Sequence, residues 1–125
     1  MHNFRRYHFH KIAQSPDELN FGVNNLLQIE VAGKTLCIAN RNGQLMVCSA
    51  KCPHASGTLS DGFIDALGNI VCPVHRYKFS LENGRNVSGE GYHLKTYPVQ
   101  VREDGVYVGI EEGGLLSRIL HRADE

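Results

Sequence analysis

The amino-acid sequence predicts an all-β protein, folded as an antiparallel β-sandwich or small barrel. Three observations support this fold class: short apolar alternations recur along the chain, glycine-containing turns separate them, and long helical periodicity is missing before the last residues. The chain has 125 residues, which is the length of one ordinary domain. We therefore predict a single domain over residues 1–112 and a short tail over residues 113–125.

The strand signals are clearest in the first half of the chain. Leu27, Ile29 and Val31 alternate with polar residues, which places them on one face of a strand. Residues 34–50 contain two apolar runs around Asn42-Gly43, a dipeptide preferred in tight hairpin turns, so we predict a β-hairpin there. The other strands are predicted for residues 9–13, 68–73, 77–81, 93–103 and 105–111.

Helical signals are confined to two short segments. Residues 15–19 predict a single helical turn, with Ser15 as its cap and Pro16 in its first position. The tail, residues 113–125, has four apolar residues at helical spacing after a Gly-Gly break, which indicates a short terminal helix. Such a helix would either cap the sheet or contact a partner, and both roles stay open. The four residues are Leu115, Leu116, Ile119 and Leu120.

The charge balance argues against two classes of partner. Thirteen basic residues balance thirteen acidic residues, so the chain offers no overall attraction to nucleic acid or to an anionic membrane. No apolar run approaches the roughly 18 residues that a membrane span needs. The N-terminal residues include arginines but no following apolar stretch, unlike a secretory signal. We therefore expect a cytoplasmic protein without nucleic-acid or membrane partners.

Four potential metal ligands lie within one short stretch, residues 52–75. Cys52 and His54 form a Cys-x-His motif, and after seventeen further residues Cys72 and His75 form a Cys-x-x-His motif. Thiolate and imidazole ligands together suit zinc, copper or iron. One tetrahedral zinc ion would use all four ligands, but zinc sites usually place both cysteines in one knuckle and both histidines in another. Because each loop here contributes one cysteine and one histidine, the pattern favours a binuclear site.

These motifs resemble the signature of the Rieske ferredoxin family. Cys52-Pro53-His54 and Cys72-Pro73-x-His75 are similar to its ligand pattern, and a weaker similarity extends over roughly residues 9–110. The resemblance implies a Rieske iron–sulfur fold with a cluster-binding subdomain of two loops at about residues 49–80. It also implies one [2Fe–2S] cluster per chain, with both cysteines on one iron and both histidines on the other, near the surface.

The resemblance further implies a one-electron carrier that has no substrate chemistry of its own. Its partners would be other redox proteins, with a reductase as the electron donor and a terminal oxygenase or similar enzyme as the acceptor. Two alternatives stay open at this point. One is the small subunit of a larger oxidoreductase, such as a nitrite reductase. The other, from a different class, is a structural zinc-binding module for protein interaction.

The same resemblance predicts a low reduction potential within the Rieske range. High-potential respiratory members have an extra cysteine pair that links the two loops, and at the matching places this chain has Gly57 and Val74. Those members also have a serine that donates a hydrogen bond to a sulfide, at the place of Tyr77, whose own hydroxyl would restore one such bond if it points to the cluster. Fewer hydrogen bonds to sulfur stabilise the reduced cluster less, so we expect the low-potential, ferredoxin-like end.

The remaining residues of interest lie beside the two loops or in the hairpin. Leu59 and Phe79 flank the loops and are expected to shield the cluster from water. Arg76 stands where the family usually has glycine, so it either strains a left-handed backbone or points outward beside the cluster. Cys37 and Cys48 flank the hairpin turn symmetrically, and we expect them to lie opposite one another as buried free thiols.

Overall fold

The computed structural model describes residues 6–54, 56–89 and 91–112, which form ten strands and two single turns of 3₁₀ helix. All strand pairs in these ranges are antiparallel, so the all-β prediction is confirmed. No helix in these ranges is long and apolar enough to cross a membrane. The predicted tail helix, in residues 113–125, lies outside the described residues. The strands are β1 (Tyr7–Ala13), β2 (Leu26–Val31), β3 (Lys34–Arg41), β4 (Gln44–Ser49), β5 (Phe63–Ile64), β6 (Asn69–Val71), β7 (Lys78–Ser80), β8 (Thr96–Tyr97), β9 (Val99–Arg102) and β10 (Gly105–Glu111), and the 3₁₀ turns are Pro16–Glu18 and Leu59–Asp61.

The described strands form three sheets. Two of them, β1-β10-β9 and β2-β3-β4-β8, make the body of the protein, and the third, β5-β6-β7, lies in the predicted cluster-binding subdomain. Apolar side chains from both body sheets pack together, which gives the body a hydrophobic core of its own. This body core consists of Val31, Leu36, Ile38, Val47, Tyr97, Val108 and Ile110.

Strand β3 connects the body to the two loops because both of its faces are buried. Leu36 and Ile38 belong to the body core, whereas Cys37 and Ala39 belong to a second apolar cluster, which includes both motif cysteines. Residues 36–39 are all nearly inaccessible to solvent. A strand that is covered on both faces needs a continuous apolar run rather than an alternating one. The second cluster therefore attaches the loops to the body.

The β3–β4 hairpin forms as the sequence predicts. Asn42 (φ 53°) and Gly43 (φ 90°) adopt the left-handed conformations of a tight two-residue turn. Cys37 lies directly opposite Cys48, and both are buried free thiols, so this expectation is confirmed. Hydrogen bonding between the two thiols lowers the pKa of Cys37 and raises the pKa of Cys48.

One prediction about local structure is wrong, and another holds only for the position of the residue. The predicted strand over residues 93–103 is broken at Pro98, because proline has no N–H group to donate to a sheet. The chain therefore passes from β8, which pairs with β4, to β9, which pairs with β10. Ser15 occupies the predicted cap position before Pro16, but its side chain makes no hydrogen bond to the following turn. Strand β5 was not predicted, since two residues are too few to show an alternation.

Candidate metal centre

Two loops carry the four predicted ligands, and each loop is closed by its own backbone hydrogen bond. The first loop connects β4 to the second 3₁₀ turn, and the second loop connects β6 to β7. In the first loop, the N–H of Cys52 donates to the carbonyl of Gly57 (3.0 Å). In the second loop, the N–H of Cys72 donates to the carbonyl of Tyr77 (2.8 Å). Each bond folds its loop back, so the cysteine and the histidine of one motif leave from the same turn.

The structure brings the four side chains together in two pairs. Cys52 and Cys72 are 2% and 0% exposed, and both belong to the second apolar cluster. His54 is partly buried and His75 is exposed, and their ring centroids lie 5.9 Å apart with the planes at 87°. Each loop contributes one member to each pair. The cysteine pair thus lies inside the protein, and the histidine pair lies on its surface side.

The donor atoms fit a metal group better than an ordinary polar network. Nδ1 of His54 is buried and has no hydrogen-bond partner in the described part of the chain, and an unpaired buried nitrogen costs about 1–3 kcal/mol. A metal bound at this lone pair would remove that cost. Across residues 6–54, 56–89 and 91–112, no three His, Cys, Asp or Glu side chains converge on one point. The pairing of cysteine with cysteine and of histidine with histidine is the one that a centre of two irons, with two protein ligands each, would use.

Without a metal group, the surroundings of Cys72 favour its neutral thiol. Burial raises its pKa, a hydrogen bond from the N–H of Val74 opposes this shift, and the adjacent thiol of Cys52 raises the pKa further. Thiolates, not thiols, are the ligands of metals. The positive charge of bound iron would stabilise the thiolates and reverse the preference, so cluster binding and thiol deprotonation are coupled.

Gly57 marks the point where the two loops touch. A Cβ at this position would lie 2.8 Å from Cγ2 of Val74 and 2.9 Å from Sγ of Cys72. Gly57 and Val74 occupy the positions where, by the family resemblance, high-potential respiratory members have their extra cysteine pair. In the structure the two residues face each other. Because glycine has no side chain, the first loop can approach Cys72 closely. Any side chain at this position would fill the space beside Sγ of Cys72.

Leu59 and Phe79 are fully buried in the same apolar cluster as Cys52 and Cys72. Leu59 begins the 3₁₀ turn after the first loop, and Phe79 lies in β7, directly after the second loop. These positions are those expected of residues that exclude water from the cysteine side. Their role toward the cluster stays a prediction, because fully buried leucine and phenylalanine are common in any core.

Arg76 follows His75 in a left-handed stretch of backbone, with φ of 57° and 62° respectively. Of the two alternatives for Arg76, both hold: the backbone is left-handed and the side chain is exposed. The left-handed conformation costs a residue other than glycine about 1–2 kcal/mol. Such strain is typical of functional sites, where the surrounding structure holds it in place.

Replacement of Arg76 by glycine is expected to relieve this strain. The matched control is Arg76→Ala, which removes the same charge but keeps the Cβ that causes the penalty. We expect Arg76→Gly to be more stable than Arg76→Ala by about 1 kcal/mol, which corresponds to about 4 °C in melting temperature. Thermal unfolding of the two holoproteins measures the difference, and equal melting temperatures would contradict the prediction.

Two tyrosine rings contact His54. The ring of Tyr77 lies against the imidazole in a tilted arrangement, with the centroids 3.8 Å apart and the planes at 30°. The ring of Tyr92 meets it edge-on, at 5.0 Å and 74°. The family resemblance identified Tyr77 but not Tyr92. Tyr92 lies in no recognisable motif, and its contact with His54 joins two segments that are far apart in the chain.

A surface cavity of about 450 Å³ opens beside the two histidines. Side chains from both loops line it, together with Ser88 from the segment between β7 and β8. The histidine side of the site is therefore open to a partner, whereas the cysteine side is enclosed by the protein. The lining residues are His54, His75, Arg76, Tyr77 and Ser88.

An antiparallel fold whose two loops each carry one cysteine and one histidine defines a small iron–sulfur protein with mixed thiolate and imidazole ligands. Residues 10–98 match the Rieske [2Fe-2S] domain family. The match covers more than half of the chain, so the chain belongs to this family. The resemblance inferred from the ligand motifs is confirmed, and the cofactor is a [2Fe–2S] cluster.

Individual relatives agree with the family. The chain is 29% identical over 87 residues to the ferredoxin component of the naphthalene 1,2-dioxygenase system of Pseudomonas aeruginosa. The matched region covers 69% of this chain and 83% of that protein. Its fold is similar to a chain in the complex of reduced oxygenase and oxidized ferredoxin in carbazole 1,9a-dioxygenase, with a TM-score of 0.66, 25% identity and coverage of 79% and 99%. It is also similar to a putative NADH-dependent nitrite reductase small subunit from Mycobacterium tuberculosis, with a TM-score of 0.71, 16% identity and coverage of 89% and 100%. This last likeness concerns the fold alone.

Proposed function

We propose that this protein is a cytoplasmic carrier that passes single electrons from a reductase to a terminal oxygenase. In this proposal its cluster ligands are Cys52, His54, Cys72 and His75. The observation that carries the proposal is the buried cysteine pair beside a histidine pair on the surface side. Relatives that are ferredoxin components of oxygenase systems support an oxygenase as the acceptor.

The two sides of the site have different tasks. When bound, a Rieske cluster takes up and releases one electron. Cys52 and Cys72 anchor its buried side, where Leu59 and Phe79 exclude water. The imidazoles are neutral ligands, so two ferric ions, two sulfides and two thiolates sum to a cluster near zero charge. Four thiolates would leave two extra negative charges, and reduction would then be harder.

The histidine side is the surface proposed for electron exchange. His75 is exposed, and the cavity beside the rings brings a partner surface close to both histidines. Arg76 adds an exposed positive charge at the edge of this cavity. A partner surface that carries carboxylates would be complementary to it, which raises the association rate more than the affinity.

Metal and sulfide analysis of the anaerobically purified protein tests the cluster assignment. We expect two irons and two acid-labile sulfides per chain, together with the EPR spectrum of a reduced Rieske centre. One zinc ion and no sulfide would refute the redox function and would support the structural zinc module instead.

Tightness of partner binding distinguishes a shuttle from a subunit. The nitrite reductase alternative has a likeness of fold in its favour, at 16% identity. A shuttle must leave its donor to reach its acceptor, so we expect the native protein to purify without a stoichiometric partner. We also expect the reduced holoprotein to be reoxidised on mixing with an oxidised Rieske-type oxygenase. Stable co-purification with a large flavin or haem protein would favour the subunit.

A further inference from the structure

The third loop consists of the described residues between β7 and β8, residues 81–89 and 91–95. Side-chain hydrogen bonds tie it to the start of β7. Oδ1 of Asn86 accepts the backbone N–H (3.0 Å) and the hydroxyl (2.8 Å) of Ser88. The hydroxyl oxygen of Ser88 in turn accepts the backbone N–H of Lys78 (3.1 Å). The third loop is therefore fixed next to the second loop, on the histidine side of the site.

This arrangement places Tyr92 of the third loop against His54. Tyr92 meets the imidazole edge-on at 5.0 Å, while the tilted ring of Tyr77 lies against it at 3.8 Å. The edge-on contact of Tyr92 is one of the arrangements that aromatic rings favour, and the tilted ring of Tyr77 lies closer to the imidazole. The imidazole of His54 is thus held by two rings, one from the second loop and one from the third.

The orientation of His54 depends on these rings. Its Nδ1 is buried and accepts no hydrogen bond within the described residues, so no polar contact fixes the ring through this atom. Ring contacts can hold an imidazole in place while leaving the Nδ1 lone pair free, and a metal ligand requires both. A hydrogen bond to Nδ1 would have fixed the ring equally well but blocked the lone pair.

We propose that Tyr92 is a positioning residue that, together with Tyr77, clamps the imidazole of His54 on its iron. The inference rests on the proposed function, in which His54 is a cluster ligand. It adds a residue that the ligand motifs do not contain and assigns it a measurable influence on the cofactor.

The clamp should influence both the retention and the potential of the cluster. A ligand held in its bound orientation by packing loses less entropy on binding, so its bond to the metal persists longer. Tyr92 also covers one side of the imidazole from water. The reduced cluster carries one more negative charge than the oxidised cluster, and water stabilises that charge. Removing the ring should therefore raise the reduction potential.

The test compares the wild-type, Tyr92→Ala and Tyr92→Phe holoproteins. An iron chelator removes the cluster while its absorption is followed, and an EPR-monitored redox titration measures the potential. We expect Tyr92→Ala to lose its cluster about threefold to tenfold faster, as for the loss of one aromatic pair, and to have a higher potential. Tyr92→Phe keeps the ring and should match the wild type in both measurements.

Val87→Ala is the matched control. Val87 lies in the same loop and is about as exposed as Tyr92, 48% against 50%, so its variant should keep the wild-type loss rate and potential. A Tyr92→Ala protein with a wild-type loss rate, or with an unchanged potential, would overturn the clamp while the proposed function stands. A wild-type protein that binds no cluster would overturn both.

Discussion

Replacement of His54 or His75 by alanine is expected to abolish the Rieske absorption and EPR spectrum. In the proposed ligand set each iron has only two protein ligands, so the loss of one imidazole halves the protein's hold on its iron. For His54, Nδ1 is buried and has no hydrogen-bond partner among the described residues, as expected of a nitrogen that binds a metal. More than nine in ten buried polar groups in proteins have a partner, so an unpaired Nδ1 is unusual. Alanine has no side-chain nitrogen and therefore no ligand atom to replace the imidazole.

The control for both substitutions is His93→Ala. His93 is exposed and lines a different surface cavity, with Lys95 and Glu111. Absorption and EPR spectra of the purified variants are the measurement, and His93→Ala should keep both spectra. An unchanged spectrum in His54→Ala or His75→Ala would refute the ligand assignment, and loss of the spectrum in His93→Ala would show that the assay reports general instability.

The variants without a cluster should keep the β body folded. The body core contains no predicted ligand, whereas Cys52 and Cys72 belong to the second apolar cluster. Loss of the cofactor should therefore loosen the two loops while the far-UV circular dichroism of the sheets persists. A fully unfolded variant would mean that the cluster supplies most of the folding free energy, as zinc does in zinc fingers.

The features that the sequence predicts correctly have local causes. Asn42-Gly43 determines the turn of the hairpin, the turn determines the register of β3 and β4, and the register places Cys37 opposite Cys48. The ligand motifs are local in the same sense, because the spacing within each loop already pairs a cysteine with a histidine. The family assignment follows from these motifs, since few other sites mix the two residue types in this order.

The features that the sequence does not reveal depend on contacts between distant segments. Residues on both sides of Pro98 alternate as one strand would, and only the pairing partners show that β8 and β9 belong to different sheets. Tyr92 is one aromatic residue among ten, and its contact with His54 arises from the path of the third loop. The left-handed backbone at Arg76 opposes the residue's own preference, so a local pattern would not predict it.

Replacement of Gly84 by alanine is expected to destabilise the protein by about 2–4 kcal/mol. Gly84 has a φ of 78°, a conformation that strains alanine. In addition, a Cβ there would overlap the carbonyl oxygen of Leu94. That oxygen belongs to the backbone, so no side-chain rotation relieves the overlap. The third loop would have to move, and the hydrogen bond from the N–H of Leu94 to the carbonyl of Gly84 (2.8 Å) would weaken.

Gly89→Ala is the matched control for this substitution. Gly89 lies in the same loop, but a Cβ there would meet no atom within 4 Å, so its variant should unfold at the wild-type denaturant concentration. Because Leu94 is two residues from Tyr92, movement at Leu94 should also draw the Tyr92 ring away from His54. We therefore expect Gly84→Ala to lose its cluster faster than Gly89→Ala. If the two variants unfold at the same denaturant concentration, the close approach of Gly84 to Leu94 does not exist in solution, and the third loop is not held as the clamp requires.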